Sequence, residues 1–390
     1  MSPRRKKALR RRRLTIGVAV IIGLALALWG IVSALPARPL TPIPAAVALT
    51  NTAAENRGLA LGSGAAAVGT LDGGLKLKFG DDRQYPTASI AKTITMLTVL
   101  NAKPLTADEA GPTITMTTND EALWQQTVAA NGTNIAVTAG EKLTERQMIN
   151  GIMLRSANNL ADSLAVWAFG SMDNYRAAAT SWLEKNGLKD TVIGPDASGL
   201  DPATRSTVSD MFKVCQLAMQ NPALRAVVVQ TSAAWPDGTQ IVNTNPYIGK
   251  NGYIGIKSGH TDAAGYTLLS ANSYEGKVIL AVVLGQQNSG DQYTVTDQLV
   301  DLAKSNFSQV SLPAGTVAGK YVLSGGREIE AKTDGALTGF LWTGDPSDVT
   351  VNLDDIKGPQ KVGTQVGTAT LGDQKVNVSL ADSISRLDMW

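Results

Sequence analysis

Ser89-Ile90-Ala91-Lys92 opens the run Thr93-Ile94-Thr95-Met96-Leu97-Thr98-Val99-Leu100, and the apolar weight of that run predicts a helix over residues 89–100. Pro86 and Thr87 lie just before it, as helix starts prefer. A serine and a lysine three residues apart share one helix face, so the amine can reach the hydroxyl. Serine is a poor nucleophile until a base takes its proton, and lysine is a base at neutral pH only when burial or a second cation lowers its pKa. The neighbours Ile90, Ala91, Ile94, Met96 and Leu97 argue for burial of Lys92. Taken alone, the four letters also read as a capped helix with a solvated lysine. Two later segments decide between these readings.

The first is Ser156-Ala157-Asn158. A helix starting at Thr144 and another from about residue 159 to 169 leave a break between them, and Ser156 and Asn158 fall in it. A hydroxyl there can relay a proton and an amide can position a peptide group, although both residue types are also ordinary helix caps. The second is Lys257-Ser258-Gly259, at the end of the apolar strand Tyr253-Ile254-Gly255-Ile256. Gly259 lets an extended substrate lie against the strand edge, and Lys257 with the Ser258 hydroxyl offers a binding site for a carboxylate. Lys257 is also the second cation that would depress Lys92. His260 is the single histidine and Asp262 is near it, so a Ser-His-Asp triad is one reading; the other gives the backbone N–H groups of Ser89 and His260 to an oxyanion hole. Ser270-Ala271-Asn272 repeats the middle tripeptide after Lys257, where it reads as a turn at a strand end without a catalytic role.

The net charge of +2 hides an asymmetry: residues 4–13 hold eight cations, which leaves −6 on the rest of the 390-residue chain. A basic run confined to one terminus and free of aromatics does not suit nucleic-acid binding, so no nucleic-acid partner is expected. Residues 14–35 carry no charge, and 22 residues of helix span roughly 33 Å, enough to cross a bilayer core of ~30 Å. With the cations on the cytoplasmic side, the remainder lies outside. Val32-Ser33-Ala34 also fits a signal-peptide cleavage site, but the apolar run exceeds the usual signal core and favours a retained single-pass anchor. Cys215 has no intrachain partner and sits at helical spacing among Val208, Met211, Phe212 and Met219, as a core residue would. One histidine and one cysteine exclude a His/Cys zinc site, and no cofactor is expected.

These readings divide the chain into a basic segment (1–13), a transmembrane anchor (14–35), a stiff Pro-rich linker (36–52), a mixed domain (53–307) and a β domain (312–390). In the mixed domain a hairpin around Asp72-Gly73 and late strands at about 240–243, 253–257, 265–271 and 277–284 bracket a helix-rich middle. Within it, Ser206 is expected to cap the helix carrying Cys215. The fold class is α/β (α+β), with an antiparallel sheet and a helical subdomain. The tail alternates with period two, as at Val349, Val351 and Leu353, and reads as a small all-β sandwich or barrel.

With these residues in view the chain resembles the low-molecular-mass penicillin-binding proteins, the serine-type D-alanyl-D-alanine carboxypeptidases, over about residues 55–305. Leu154-Arg-Ser-Ala-Asn158, Gly187-Leu-Lys-Asp190, Gly199-Leu-Asp201 and Gly255-Ile-Lys-Ser-Gly-His-Thr-Asp-Ala-Ala-Gly-Tyr266 carry the resemblance beyond the short motifs. It implies a β-lactamase/transpeptidase-like fold, Ser89 as the acylated nucleophile, Lys92 as its base, and Ser156 and Asn158 as relay and positioning groups. Lys257, with Ser258, Gly259 and His260, would bind substrate. Peptidoglycan stem peptides would be the substrate and β-lactams the inhibitors. The chain departs from the pattern in having serine at 258 where threonine is usual, and in ending at Trp390 without the amphipathic C-terminal helix of many relatives. Alternative activities are a D,D-endopeptidase, a class A β-lactamase and a silent wall-binding module. The β-lactamase reading lacks its deacylating glutamate, because Glu184 is the only glutamate between Ser156 and Lys257 and stands at a helix end.

Overall fold

The computed structural model describes residues 3–34, 38–49, 58–345 and 348–389. The chain forms two compact units, one of residues 55–306 and one assembled from residues 1–54 and 307–390. Helix α1 (Pro3–Ala34) opens the second of these. Its stretch Arg12–Ile31 has mean hydropathy 2.5 and is long and apolar enough, by length and composition, to cross a membrane. Leu14, Leu28 and Trp29 stand exposed along it, and a helix apolar all round needs a lipid or protein surrounding. The short strands β1 (Pro42–Pro44) and β2 (Val47–Ala48) follow.

In the unit of residues 55–306, β3 (Ala65–Thr70) and β4 (Gly74–Phe79) make the hairpin expected around Asp72-Gly73. They join three late strands, β5 (Tyr253–Thr261), β6 (Gly265–Tyr274) and β7 (Lys277–Gln286), in one antiparallel sheet ordered β5-β6-β7-β3-β4. Ala65, Ala66, Ala67 and Val68 are fully buried, as are residues 279–284, so both faces of these central strands are covered and the sheet is a middle layer. Ser270 and Asn272 lie inside β6, buried, with the Asn272 amide donating to the Ser270 hydroxyl at 2.6 Å. The turn expected there is an interior strand segment.

The helices are α2 (Ala91–Ala102), α3 (Thr118–Ala129), α4 (Glu145–Leu154), α5 (Asn158–Phe169), α6 (Met172–Lys185), α7 (Val208–Gln220), α8 (Pro222–Val228) and α9 (Asp291–Ser305). Every residue from 91 to 100 is buried, which makes α2 a central helix and withdraws Lys92 from water. Thr144 caps α4 through a reciprocal box with Gln147. The cap of α7 is Thr207, whose hydroxyl accepts the Asp210 N–H; Ser206 instead pairs with Tyr85 in a short ladder, correcting the expected cap. Cys215 is buried on α7, and burial pushes its thiol pKa up.

The other unit carries β8 (Phe307–Leu312), β9 (Val317–Val322), β10 (Glu328–Thr333), β11 (Leu337–Trp342), β12 (Asp348–Leu353), β13 (Gln365–Leu371) and β14 (Gln374–Leu380). Here the linker reading of residues 36–52 is corrected over residues 38–49, the rest of it lying outside the described residues. Pro42–Pro44 pairs with β9, Val47–Ala48 pairs with β12, and Leu40 exchanges two backbone hydrogen bonds with Ile356. The resulting order is β1-β9-β10-β14-β13-β12-β2. Two strands a few residues apart in sequence therefore cover both outer edges of one sheet. Proline suits an edge strand because its missing N–H forfeits no ladder bond.

A chain beginning at residue 53 lacks both covering strands and exposes the ladder groups of β9 and β12. It is expected to self-associate and to lose the unfolding transition of this unit at its normal temperature. Size-exclusion chromatography and calorimetry against the full chain check this; a monomer with unchanged transitions would show that β1 and β2 contribute nothing.

Candidate active site

Lys92 is the centre of the site. Its Nζ lies 2.8 Å from Ser89 Oγ, 2.6 Å from Asn158 Oδ1 and 3.0 Å from the Ser198 carbonyl oxygen. Burial drives its pKa well below the ordinary lysine value, and the nearby positive charge of Lys257 pushes in the same direction. Opposing them, the carboxyl groups of Asp162 and Asp196 favour the charged form.

Ser89 sits in a single 3-10 turn, Ala88–Ile90, that leads into α2. Ala88 holds φ +49° and Ser156 φ +67°, so two non-glycine residues take left-handed conformations beside the nucleophile and in the second motif. Such strain persists only where surrounding structure enforces it. Ser156 is buried in the break between α4 and α5, and Asn158 is the first residue of α5. Gly132 packs on the Asn158 amide: a β-carbon there would come within 2.9 Å of Nδ2.

Lys257 and Gly259 point to the α2 side of β5, and the alternation of a strand sends Ser258 and His260 the other way. Lys257 is buried, its Nζ donating to the Ser258 carbonyl at 2.8 Å, and burial brings its pKa down to about 7. Gly259 passes the nucleophile so closely that a β-carbon would lie 2.9 Å from the Ser89 nitrogen and 3.1 Å from that of Ile90. The Ser258 side chain lies close to Tyr293 on α9. The exposed His260 ring stacks on Tyr266 at 4.0 Å between centroids, and the hydroxyl of Ser89 is taken by Lys92. The arrangement thus brings Ser89, Lys92 and Asn158 into direct contact with Gly259 alongside. It leaves the Ser258 and His260 side chains on the other face of the strand.

Sequence reasoning quoted Gly199-Leu-Asp201 but gave no site role to the loop of residues 195–202, which supplies the third partner of Lys92. Asp196 Oδ1 accepts the N–H groups of Ser198, Gly199 and Leu200 and the Ser198 hydroxyl, and Oδ2 accepts the Asp201 N–H. Gly199, at φ +74°, abuts Ala88 O and Ala91 Cβ and admits no side chain. Thr95 and Asp162 grip the same loop, and each lies one helical turn after a motif residue, a spacing that the sequence does display.

A serine hydroxyl on a buried, pKa-lowered lysine, backed by an asparagine and edged by a glycine strand, is the arrangement that serine acyl transfer with a lysine base requires. The sequence profile described as D-alanyl-D-alanine carboxypeptidase (peptidase S11) matches residues 77–288, just over half of the chain, and the chain belongs to that family. Among curated relatives, D-alanyl-D-alanine carboxypeptidase DacB2 of Mycobacterium tuberculosis is 30% identical over 45% of this chain and 62% of its own length. DacA of Escherichia coli is 31% identical over 39% of this chain and 38% of its own length. The matched stretches thus span about half the length of these relatives. Among solved structures, the Streptomyces K15 DD-transpeptidase aligns with a TM-score of 0.56 at 22% identity, over 62% of this chain and 96% of that one. DacD of Francisella tularensis aligns with a TM-score of 0.59 at 18% identity, over 86% and 97%. These likenesses establish the α/β transpeptidase-like fold.

Gly259→Val is expected to place methyl groups over the Ser89 N–H and to cut acylation by on the order of 100-fold, the scale of a lost oxyanion donor. Stopped-flow acylation by a fluorescent penicillin measures it; an unchanged rate would remove Gly259 from the site.

Proposed function

We propose that the chain is an exported D-alanyl-D-alanine carboxypeptidase that removes the terminal D-alanine from peptidoglycan pentapeptides through an acyl-enzyme on Ser89. The observation that carries this reading is the contact of Lys92 Nζ with Ser89 Oγ, Asn158 Oδ1 and the Ser198 carbonyl. Lys92 takes the Ser89 proton as Oγ bonds to the carbonyl carbon of the penultimate D-alanine. The backbone N–H groups of Ser89 and His260 receive the oxyanion. As the C–N bond breaks, the Ser156 hydroxyl passes a proton to the departing nitrogen and takes the Ser89 proton back from Lys92, so D-alanine leaves and Lys92 is neutral again. Water then adds to the ester, giving its proton to Lys92, and Lys92 returns that proton to Ser89 Oγ as the ester C–O bond breaks and the shortened peptide leaves. Asn158 holds Lys92 and the substrate amide in register. Lys257 attracts the terminal carboxylate, with the Gly259 edge completing the subsite; the Ser258 hydroxyl, on the opposite face of the strand, has no part in it. β-Lactams acylate the same serine. α1 anchors the chain as a single-pass segment with residues 1–13 in the cytoplasm and residues 55–306 outside.

The test is mass spectrometry of products from a pentapeptide ending in D-Ala-D-Ala, as the free acid and as the C-terminal amide. Loss of one alanine from the acid, with the amide cleaved at least about 10-fold more slowly, is expected if Lys257 pairs with a carboxylate. Equal cleavage of both would overturn that pairing and favour the endopeptidase reading. No cleavage of either would overturn the carboxypeptidase.

A further inference from the structure

The acyl-transfer residues leave unused one partly buried acid beside Lys92. Asp162 lies on α5 one turn beyond Asn158, and its Oδ1 accepts the Ala197 N–H at 2.8 Å. The carbonyl of the same residue accepts the Thr95 hydroxyl at 2.6 Å, and Thr95 lies one turn beyond Lys92 on α2. Thr95 Oγ1 is also 2.7 Å from the buried hydroxyl of Tyr175 on α6. The next carbonyl in the chain, that of Ser198, is the one that receives Lys92 Nζ. Both helices that carry the motif residues therefore hold Ala197 from opposite ends, and the carbonyl of the residue after it, Ser198, anchors the amine.

We propose that Asp162 is a positioning residue for Lys92, fixing the Ala197–Ser198 segment that seats the amine and lending negative charge to the ammonium that forms when Ser89 gives up its proton. This rests on Lys92 being the base of the proposed reaction. Asp162 suits the part for three reasons. It shares a helix face with Asn158, so one rigid turn aligns two partners of the same amine. Its residue borders a cavity of about 460 Å³ lined also by Asn158, Asp196 and Ser198, beside the same loop. It is not hydrogen-bonded to Lys92, whose three positions are filled, so its charge acts across space without competing for the amine.

The charged or titratable groups around it are Lys92 on α2, Tyr175 on α6, Asp196 and Asp201 on the loop, and Lys257 on β5 beyond Lys92. Burial and the neighbouring Asp196 push the Asp162 carboxyl up to about 7, with the Ala197 N–H and Lys92 opposing. It therefore gains its charge near neutral pH. A negative Asp162 raises the affinity of Lys92 for a proton, and its removal lowers it.

The experiment compares the pH profile of Ser89 acylation by penicillin in the full chain and in Asp162→Asn and Asp162→Ala. Asparagine keeps an oxygen for the Ala197 N–H and loses only the charge. Its acid limb is expected to move to lower pH, by on the order of one pH unit, with its plateau largely kept. Alanine loses the oxygen as well, and its plateau is expected to fall by on the order of 10- to 100-fold through misplacement of the amine. Unfolding curves of both variants correct the rates for folded fraction. An asparagine variant with an unmoved acid limb, or an alanine loss accounted for by unfolded protein, would overturn the assignment. Wild-type protein taking no label on Ser89 would instead overturn the acyl-enzyme reading on which it rests.

Discussion

Ser89→Ala is expected to abolish the penicillin adduct and to lower D-alanine release by on the order of 10⁴-fold or more, the scale seen when a covalent nucleophile is removed. No nearby hydroxyl replaces it: Lys92 Nζ contacts Ser89 Oγ as its only hydroxyl partner, its others being an amide oxygen and a main-chain carbonyl. The fold should survive the change. Ser89 is half-buried in a turn, and loss of one side-chain hydrogen bond destabilises by about 1 kcal/mol. The contrast between an intact unfolding transition and absent chemistry is what separates a nucleophile from a structural serine. Intact-mass measurement after penicillin treatment reads it directly, and equal labelling of the variant would move the nucleophile elsewhere.

The parts of this site that were legible in the sequence are those whose chemistry is local. Ser89 and Lys92 share a helix face by spacing alone, and Lys257 to Gly259 end a strand whose apolar run announces it. Asp196 gave no such notice, and Asp162 showed only its one-turn spacing from Asn158. One reads as a polar residue on a helix and the other as a loop acid, and their meaning comes from a segment some 35 residues away folding back on α5. Tertiary contact alone turns the two into groups that hold the base. The same holds for β1 and β2. They are two or three residues long and rich in proline, so no alternation marks them, and only the open edges of β9 and β12 make them strands. Ser270-Ala271-Asn272 misled in the opposite sense, since turn-forming letters sit inside a buried strand where β7 and β5 pair on either side of them. Side-chain direction within β5 was also hidden: the three-letter motif places Lys257 and Ser258 next to each other, whereas the pleat sends them to opposite faces.

Lys92→Arg should be nearly as damaging as loss of the serine. A neutral lysine amine has two N–H donors and one lone pair, and its three partners are two oxygens that only accept and one hydroxyl that can donate. The neutral form therefore fills all three positions, donating to Asn158 and Ser198 while the Ser89 O–H points at the lone pair. Arginine keeps a positive charge but does not release its proton in a protein, so it offers donors where a base is needed. Acylation by penicillin is expected to fall by about 10²–10⁴-fold, the range of a positioned general base. In the wild type the rate should rise as pH climbs through the lowered pKa of Lys92 and be flat well below the ordinary lysine value. Stability carries the same signature. Lys257 has its pKa near 7 in the fold and near 10.5 when unfolded, and Lys92 is shifted in the same direction. Between those values the unfolded chain binds more protons, so the lysines make the 55–306 unit more stable as pH rises through that window, and their burial weighs fully against folding below it. Thermal unfolding of wild type and Lys257→Met at pH 7 and pH 10 separates this contribution from other titrations. The methionine variant should gain most at the lower pH while losing turnover, and an equal effect at both pH values would show that the pKa of Lys257 is not lowered in the fold.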